Sequence, residues 1–580
     1  MKRSTHRWSA LAATTAITGT LLSPVALAAP GSASRVERRV ETALPDQVGD
    51  GVLVSRVDLR SPLPPAVGPR PEACEWISYL RYRPTGGPAD PQRADSVFVE
   101  QPGSFGSADN SDSLARNTVR SALGKGQRVE FWAQARRPNC LTDNTGLRAG
   151  WAARDWRVAF DYYYQGKVIG GRKFEGFKKD SELGFLAEIG VEQTVRDQYD
   201  LMLHELPDSE FRRTRTVCGG ASMAGLMTGF FAAWDFDGDP ATTADAGYRQ
   251  CGAFFGLDTL VTSDPVGLQT NPLLKWAANL VVGKTHDVAV RLLRSGVLPR
   301  SLVSVPGVNA ELFNALGIIG IGAHFEPGAE TDLHRRLPAN PVTDTALRLL
   351  FARSYVDFLS GANDIREFRF TNAALLGTLM DNNTANLGIL QVGLGAYTGG
   401  PVAPKTFPLP GQVSGLPLVG DWLATVTGPN PRVGPTDKKA LYGWRNHDNV
   451  QGVDYTSPGH EVTSLPDLAR QFGNPGINSW EYYHSVRTLV DFGLALAGSR
   501  DGELVNLRHA AAAKAKPTLI IGATDSAIGA PLKLFFPKGT TLAPGYTHID
   551  TLTASYRQNT GRPEHISDLL STFAATQTRD

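Results

Sequence analysis

Net charge is what this chain has least of. Its 58 Lys and Arg face 57 Asp and Glu, a formal charge of +1 over 580 residues. That balance excludes the basic footprint of a nucleic-acid-binding protein and leaves a small or neutral partner as the default. Long apolar runs are also lacking. Beyond the N-terminal leader no stretch stays apolar for eighteen residues, and the nearest, Leu316-Gly-Ile-Ile-Gly-Ile-Gly-Ala, is brief and glycine-rich, so no integral membrane segment is expected. Internal repeats, low-complexity tracts, CxxC pairs and Cys/His ligand spacings are all missing, and with them the case for zinc.

There are four cysteines, an even number for which three pairings are formally open. Cys74 and Cys140 look like loop or strand-end positions and are expected to bond. Cys218 is read as ending one strand and Cys251 as beginning the next. In neighbouring parallel strands such positions lie roughly 20 Å apart at about 3.3 Å per residue, so both are expected as buried thiols.

The chain opens with a basic Met1-Lys2-Arg3, an apolar stretch from about Ala10 to Leu22, and Ala26-Leu27-Ala28 before Ala29-Pro30. This reads as a secretory signal peptide over residues 1–28, with no twin-arginine pair, and predicts a secreted, periplasmic or envelope protein. With 42% hydrophobic residues the chain can bury a large core in more than one unit. Residues 29–74 read as a poorly packed N-terminal arm. Residues 75–261 alternate strands, such as Glu75 to Tyr82, Asp95 to Glu100, Arg128 to Arg136 and Gly252 to Asp258, with helices over Ser113 to Leu123 and Phe185 to Leu206. That alternation predicts an α/β fold with a mostly parallel sheet covered on both faces. Residues 262–510 change to amphipathic helices, among them Leu273 to Gly283, Asp344 to Leu359 and Asn478 to Gly498. Sheet patterning resumes over 511–580, with the strand Lys516 to Asp525 and a last helix from about Ile566 to Ala574. The middle block therefore reads as a large helical insertion placed over a site as a lid.

The most informative string is Gly220-Ala221-Ser222-Met223-Ala224. A serine on a sharp strand-to-helix turn takes strained backbone angles, and bulky side chains two positions to either side would collide with the strand and helix. Gly220 and Ala224 meet that demand. Such a turn lifts the hydroxyl above the sheet edge, where the N–H of Met223 in the first helical turn can serve an oxyanion. A nucleophile needs a base, an orienting acid and a second oxyanion donor. His548, in Gly545-Tyr-Thr-His-Ile-Asp, is the expected base, and Asp525, after Leu519-Ile-Ile-Gly522, the expected acid. The order Ser222, Asp525, His548 suits a nucleophile elbow on this sheet type. Asp258, after the strand that follows the elbow, is the alternative acid. The loop Pro102-Gly-Ser-Phe-Gly106 follows an early strand, and its glycines let backbone N–H groups face the site. Cys218 is read as packing inside a strand, and His447 and His460 as structural or substrate-contacting residues of the insertion. Asp235-Phe-Asp-Gly-Asp239 looks like a calcium loop, but its glycine falls two positions early and a helix C-terminal turn explains it as well. No metal and no cofactor are expected.

The PGSFG loop, GGASMAG at the elbow, PTLIIGATD and GYTHID together resemble the α/β-hydrolase superfamily, and the stretches FWAQARRPN, FFAAWDF and LYGWRN resemble its exported bacterial members. The likeness covers roughly residues 75–260 and 511–575. It implies Ser222 as nucleophile, His548 as base, Asp525 as acid, and Ser104 or Phe105 with Met223 as oxyanion donors. The sequence departs from many relatives at Ala221, often a larger residue such as histidine, and at Ala224, usually glycine. The expected activity is hydrolysis of a carboxylic ester with an apolar or lipid-like acyl group, through an acyl-enzyme and without a cofactor. A peptidase or amidase using the same triad, or a non-catalytic hydrolase-like envelope binding protein, are the alternatives. The oligomeric state is not legible.

Overall fold

Apolar runs of period 2 become strands whose side chains alternate between two cores. In the computed structural model, which describes residues 34–44, 50–263, 279, 281, 283–302, 309–408, 432–526, 529, 532 and 539–577, fifteen strands are found among the described residues. The expected signal peptide and nearly all of the helix expected over Leu273 to Gly283 lie outside those residues. In chain order the strands are β1 (Arg38–Ala43), β2 (Val52–Arg60), β3 (Trp76–Pro84), β4 (Ser96–Gln101), β5 (Val129–Ala135), β6 (Thr216–Ala221) and β7 (Ala253–Leu257). Six short ones follow: β8 (Glu330–Thr331), β9 (Arg369–Thr371), β10 (Gly395–Thr398), β11 (Val402–Pro404), β12 (Val433–Pro435) and β13 (Leu441–Asn446). The last two are β14 (Thr518–Ala523) and β15 (Thr540–Ala543).

Nine of these form one sheet in the order β1-β2-β3-β5-β4-β6-β7-β14-β15. The pairs β1/β2, β2/β3 and β3/β5 are antiparallel, and every pair from β5/β4 onward is parallel. In β4, Val97 and Val99 join one core with Trp132, Cys218 and Phe254, while Phe98 joins the other with Phe131 and Phe255. Both faces are thus buried, as parallel strands require. The second core is closed by α1 (Asp112–Gly124) and the C-terminal helix His565–Gln577, and the first by Val191–Glu205 and by Met223–Ala233, which follows the elbow serine. This is an α/β fold with a mostly parallel sheet, as the patterning predicts.

Several expectations change. Within the N-terminal arm β2 pairs antiparallel with β3 and buries Val52, Val54, Val57 and Leu59, while β1, antiparallel to β2 at the sheet edge, stays largely exposed. The block between β7 and β14 is mainly helical among the described residues, as expected, and in addition carries a four-stranded sheet, β10-β13-β9-β8, and the pair β11/β12. Those strands are two to six residues long, too short for a periodic signal. The helix expected over Asp344 to Leu359 is two, Pro341–Phe351 and Tyr355–Ser360. The one expected from Asn478 starts at Val486.

The cysteines form two disulfides, Cys74–Cys140 as expected and Cys218–Cys251, which corrects the reading of those two as thiols. The strand before the serine runs on to Ala221, so Cys218 is near its start, opposite Phe254 in β7. Cys251 lies three residues before Phe254, at the same end of the sheet, and the Cα atoms are 6.0 Å apart, within bonding range.

Candidate active site

β6 ends at Ala221, and the helix Met223–Ala233 begins one residue after Ser222, which has φ 59° and ψ −129°. A non-glycine residue in that region is strained and persists only where its surroundings hold it. Two contacts explain the small neighbours. A Cβ on Gly220 would stand 2.3 Å from the Gln101 carbonyl oxygen and 2.5 Å from the Ala224 Cβ. A Cβ on Gly103 would stand 3.2 Å from the Ser222 Cβ and 3.0 Å from the Ala221 carbonyl oxygen. The Pro102–Gly106 loop is therefore seated directly on the elbow. Among the described residues six non-glycines have positive φ, and three of them, Phe105, Ser222 and Asp258, belong to this site.

Ser222 and His548 line one cavity with Gly103, Ser104 and Phe105. Apolar side chains close it: Ile389, Leu390 and Trp480 from the block between β7 and β14, and Ile549 and Leu552 beyond the histidine. Its free volume is about 30 Å³, room for a water or two.

The imidazole is not paired with the acid expected for it. His548 Nδ1 lies 2.6 Å from Asp258 Oδ2. Asp258 is fully buried, follows β7, and has its carboxylate held by Ser526 Oγ at 2.5 Å and the Ala523 N–H at 3.0 Å. Asp525 instead pairs with His460 Nδ1 and accepts from Thr524 Oγ1 at 2.9 Å. The reason is local. Asp525 lies two residues beyond β14, with its N–H bonded to the Tyr546 carbonyl, and its carboxylate is directed to His460, whose side chain is 53% exposed. His447 is buried, and neither it nor His460 lines the cavity.

One group at the site was not foreseen. Arg136, just past β5 and 6% exposed, donates to the carbonyls of Pro102 (2.5 Å), Gly103 (2.7 Å) and Gly106 (3.2 Å) and ion-pairs with the fully buried Glu481 carboxylate. The Glu481 N–H in turn donates to the Phe105 carbonyl at 2.7 Å. Burial would raise the Glu481 carboxyl, but Arg136 and His484 hold it below its ordinary range. The available signal was the pair of arginines, Arg136 and Arg137, directly after the strand Val129–Ala135.

Among the described residues the carboxylates able to share a metal ion are Asp235, Asp237 and Asp245, with ligand atoms within 4.8 Å of one another. They belong to the turn after the helix Met223–Ala233, where Asp235 Oδ1 accepts from the Gly238 N–H and Asp245 Oδ2 from the N–H groups of Phe236 and Asp237. Arg508 supplies a positive charge 3.7 Å from Asp235 Oδ2.

The sheet order, the strained serine between a central parallel strand and its helix, and an acid and a histidine that follow it in the chain are the features of the α/β-hydrolase fold. No family model matches the chain, and no curated protein does. Among solved structures it is similar to hypothetical protein PA2218 from Pseudomonas aeruginosa, with 11% identity over 94% of this chain and 95% of that one and a TM-score of 0.29. It is also similar to the peroxisomal alpha-beta-hydrolase Lpx1 from Saccharomyces cerevisiae, with 10% identity over 86% and 83% and a TM-score of 0.28. An acetyl xylan esterase from Paenibacillus sp. R4 matches at 12% identity over 44% of this chain and 66% of that one, with a TM-score of 0.24. At that level of likeness they say nothing of this chain's activity. No helix among the described residues is long and apolar enough to cross a membrane.

Proposed function

We propose that this protein is an exported serine hydrolase that cleaves carboxylic esters of apolar acyl groups. His548 takes the Ser222 proton as the hydroxyl oxygen attacks the ester carbonyl. Asp258 accepts from His548 Nδ1–H and holds the tautomer that leaves Nε2 free to act as base. The oxyanion is received by the N–H of Met223 and by that of Ser104 or Phe105. The alcohol leaves with the proton from His548, and a water activated by the same imidazole releases the acid. The observation that carries this reading is a serine at φ 59° sharing a cavity with a histidine whose Nδ1 is 2.6 Å from a buried carboxylate.

The substrate class rests on Phe105, Ile389, Leu390, Trp480, Ile549 and Leu552, which offer an acyl chain apolar walls and no fixed charge. Because the cavity holds a water or two, the residues of the 262–510 block above it act as a lid that must open for an ester to enter. Two disulfides suit an oxidising compartment and therefore export.

A fluorophosphonate probe tests the reading. It should label the wild type and not Ser222→Ala, and p-nitrophenyl esters of increasing chain length should be hydrolysed in preference to aminoacyl anilides. An unlabelled wild type would sink the enzyme reading, and faster anilide turnover would make the protein an amidase.

A further inference from the structure

Arg136 is expensive to bury, and its partners are unusual for a structural ion pair. Of the five residues in the Pro102–Gly106 loop, three have their carbonyls committed to the Arg136 side chain and a fourth to the main chain of its ion-pair partner. Pro102, Gly103 and Gly106 accept from the Arg136 guanidinium, and Phe105 accepts from the N–H of Glu481, the residue that neutralises it. An isolated guanidinium there would be strongly unfavourable, and the Glu481 carboxylate, itself fully buried, compensates it. The planar fork can reach several carbonyls at once, which a lysine ammonium cannot do in fixed geometry.

The sheet order gives this clamp a direction. β4 lies between β5 and β6, so the loop leaving β4 has the end of β5, with Arg136, on one side and the end of β6, with Ser222, on the other. A trans peptide is planar, and its C=O and N–H point in opposite directions. When Arg136 draws the Gly103 carbonyl to its side, the N–H of Ser104 in the same peptide turns to the Ser222 side. The Gly103 Cα stands close enough to the elbow that a Cβ would meet Ser222. Phe105, held at φ 59°, completes the turn.

We propose that Arg136, locked by Glu481, is the positioning residue of the oxyanion loop, directing the Ser104 N–H at the oxygen that becomes negative when Ser222 attacks. Arg136 itself touches neither substrate nor reacting atoms. The inference rests on the reading of Ser222 as nucleophile, and it selects Ser104 over Phe105 as the loop's donor. Since the N–H is needed most when charge develops, disturbing the clamp should lower turnover and leave ground-state binding nearly intact.

The test compares Arg136→Lys and Glu481→Gln with wild type, each variant first checked for an intact cooperative unfolding transition. For hydrolysis of a p-nitrophenyl ester, kcat should fall at least about tenfold, approaching the ~100- to 1000-fold that loss of one oxyanion donor costs, with KM within about threefold. Affinity for an alkyl boronic acid, which forms a tetrahedral adduct on the serine, should weaken by the factor lost from kcat. A loop that merely packs would not couple those two numbers. Should Arg136→Lys fail to fold, Glu481→Gln, which keeps the shape of the side chain, carries the test. A folded variant with kcat and boronate affinity within twofold of wild type, or one whose loss lies wholly in KM, overturns the inference while labelling of wild-type Ser222 still stands. If wild-type Ser222 is not labelled, the hydrolase reading fails and this inference with it.

Discussion

His548 Nδ1 and Asp258 Oδ2 stand 2.6 Å apart although 290 positions separate them in the chain. The pair joins the loop after β7 to the loop after β15, across the neighbouring strand β14. Asp525, nearer to the histidine in sequence, is occupied with His460.

Replacing Asp258 by Asn should reduce kcat for a p-nitrophenyl ester by ~1000- to 10,000-fold, because the amide can hold the imidazole in the wrong tautomer. The same change at Asp525 should leave turnover within about threefold. Equal losses in the two variants would return Asp525 to the triad.

At the elbow, Gly220→Val should abolish fluorophosphonate labelling, since its Cβ would lie 2.3 Å from the Gln101 carbonyl and 2.5 Å from the Ala224 Cβ. The backbone must shift, and a displacement of about 1 Å costs ~100-fold in rate. A labelling rate unchanged from wild type would show that the turn tolerates bulk.

The Cys218–Cys251 bond joins positions 33 apart in sequence and encloses the elbow and its helix. Its removal in a Cys218→Ser, Cys251→Ser variant should lower unfolding stability by about 2–4 kcal/mol, measured in denaturant. Unreduced, unfolded wild type should give no reaction with a thiol reagent, and a titre of two thiols would refute the pairing.

Glu100, buried in β4 just before the oxyanion loop, has its carboxyl pushed well above the ordinary value by burial, with the Ser111 hydroxyl and Arg136 opposing. Its proton is retained in the folded state at pH values where the unfolded chain has lost it. Stability therefore declines as pH rises above the ordinary Glu value of 4.5 toward the raised one. Glu100→Gln, neutral throughout, should be more stable than wild type at pH 8 and show a smaller fall between pH 5 and pH 8. Parallel stability profiles for the two proteins would show that Glu100 ionises freely.

The features open to reading from the chain alone are short-range. The elbow was legible because its demand, small residues two positions either side of a strained serine, falls within five residues, and Gly220 and Ala224 do confront each other across the turn. The strands β3 to β7 and β14 were legible because each concentrates β-branched and aromatic residues in a short stretch bounded by turn residues. Tertiary structure decided the rest, wherever an outcome depended on which strand ends lie side by side. The register of β6 against β7 put Cys218 beside Cys251. The direction of the chain beyond β14 sent Asp525 to His460 and left His548 with Asp258. Arg136 reads as an ordinary charge after a strand until Glu481, 345 residues on, is folded against it. Partners that far apart carry no local pattern, because only the packed sheet sets the distance between them.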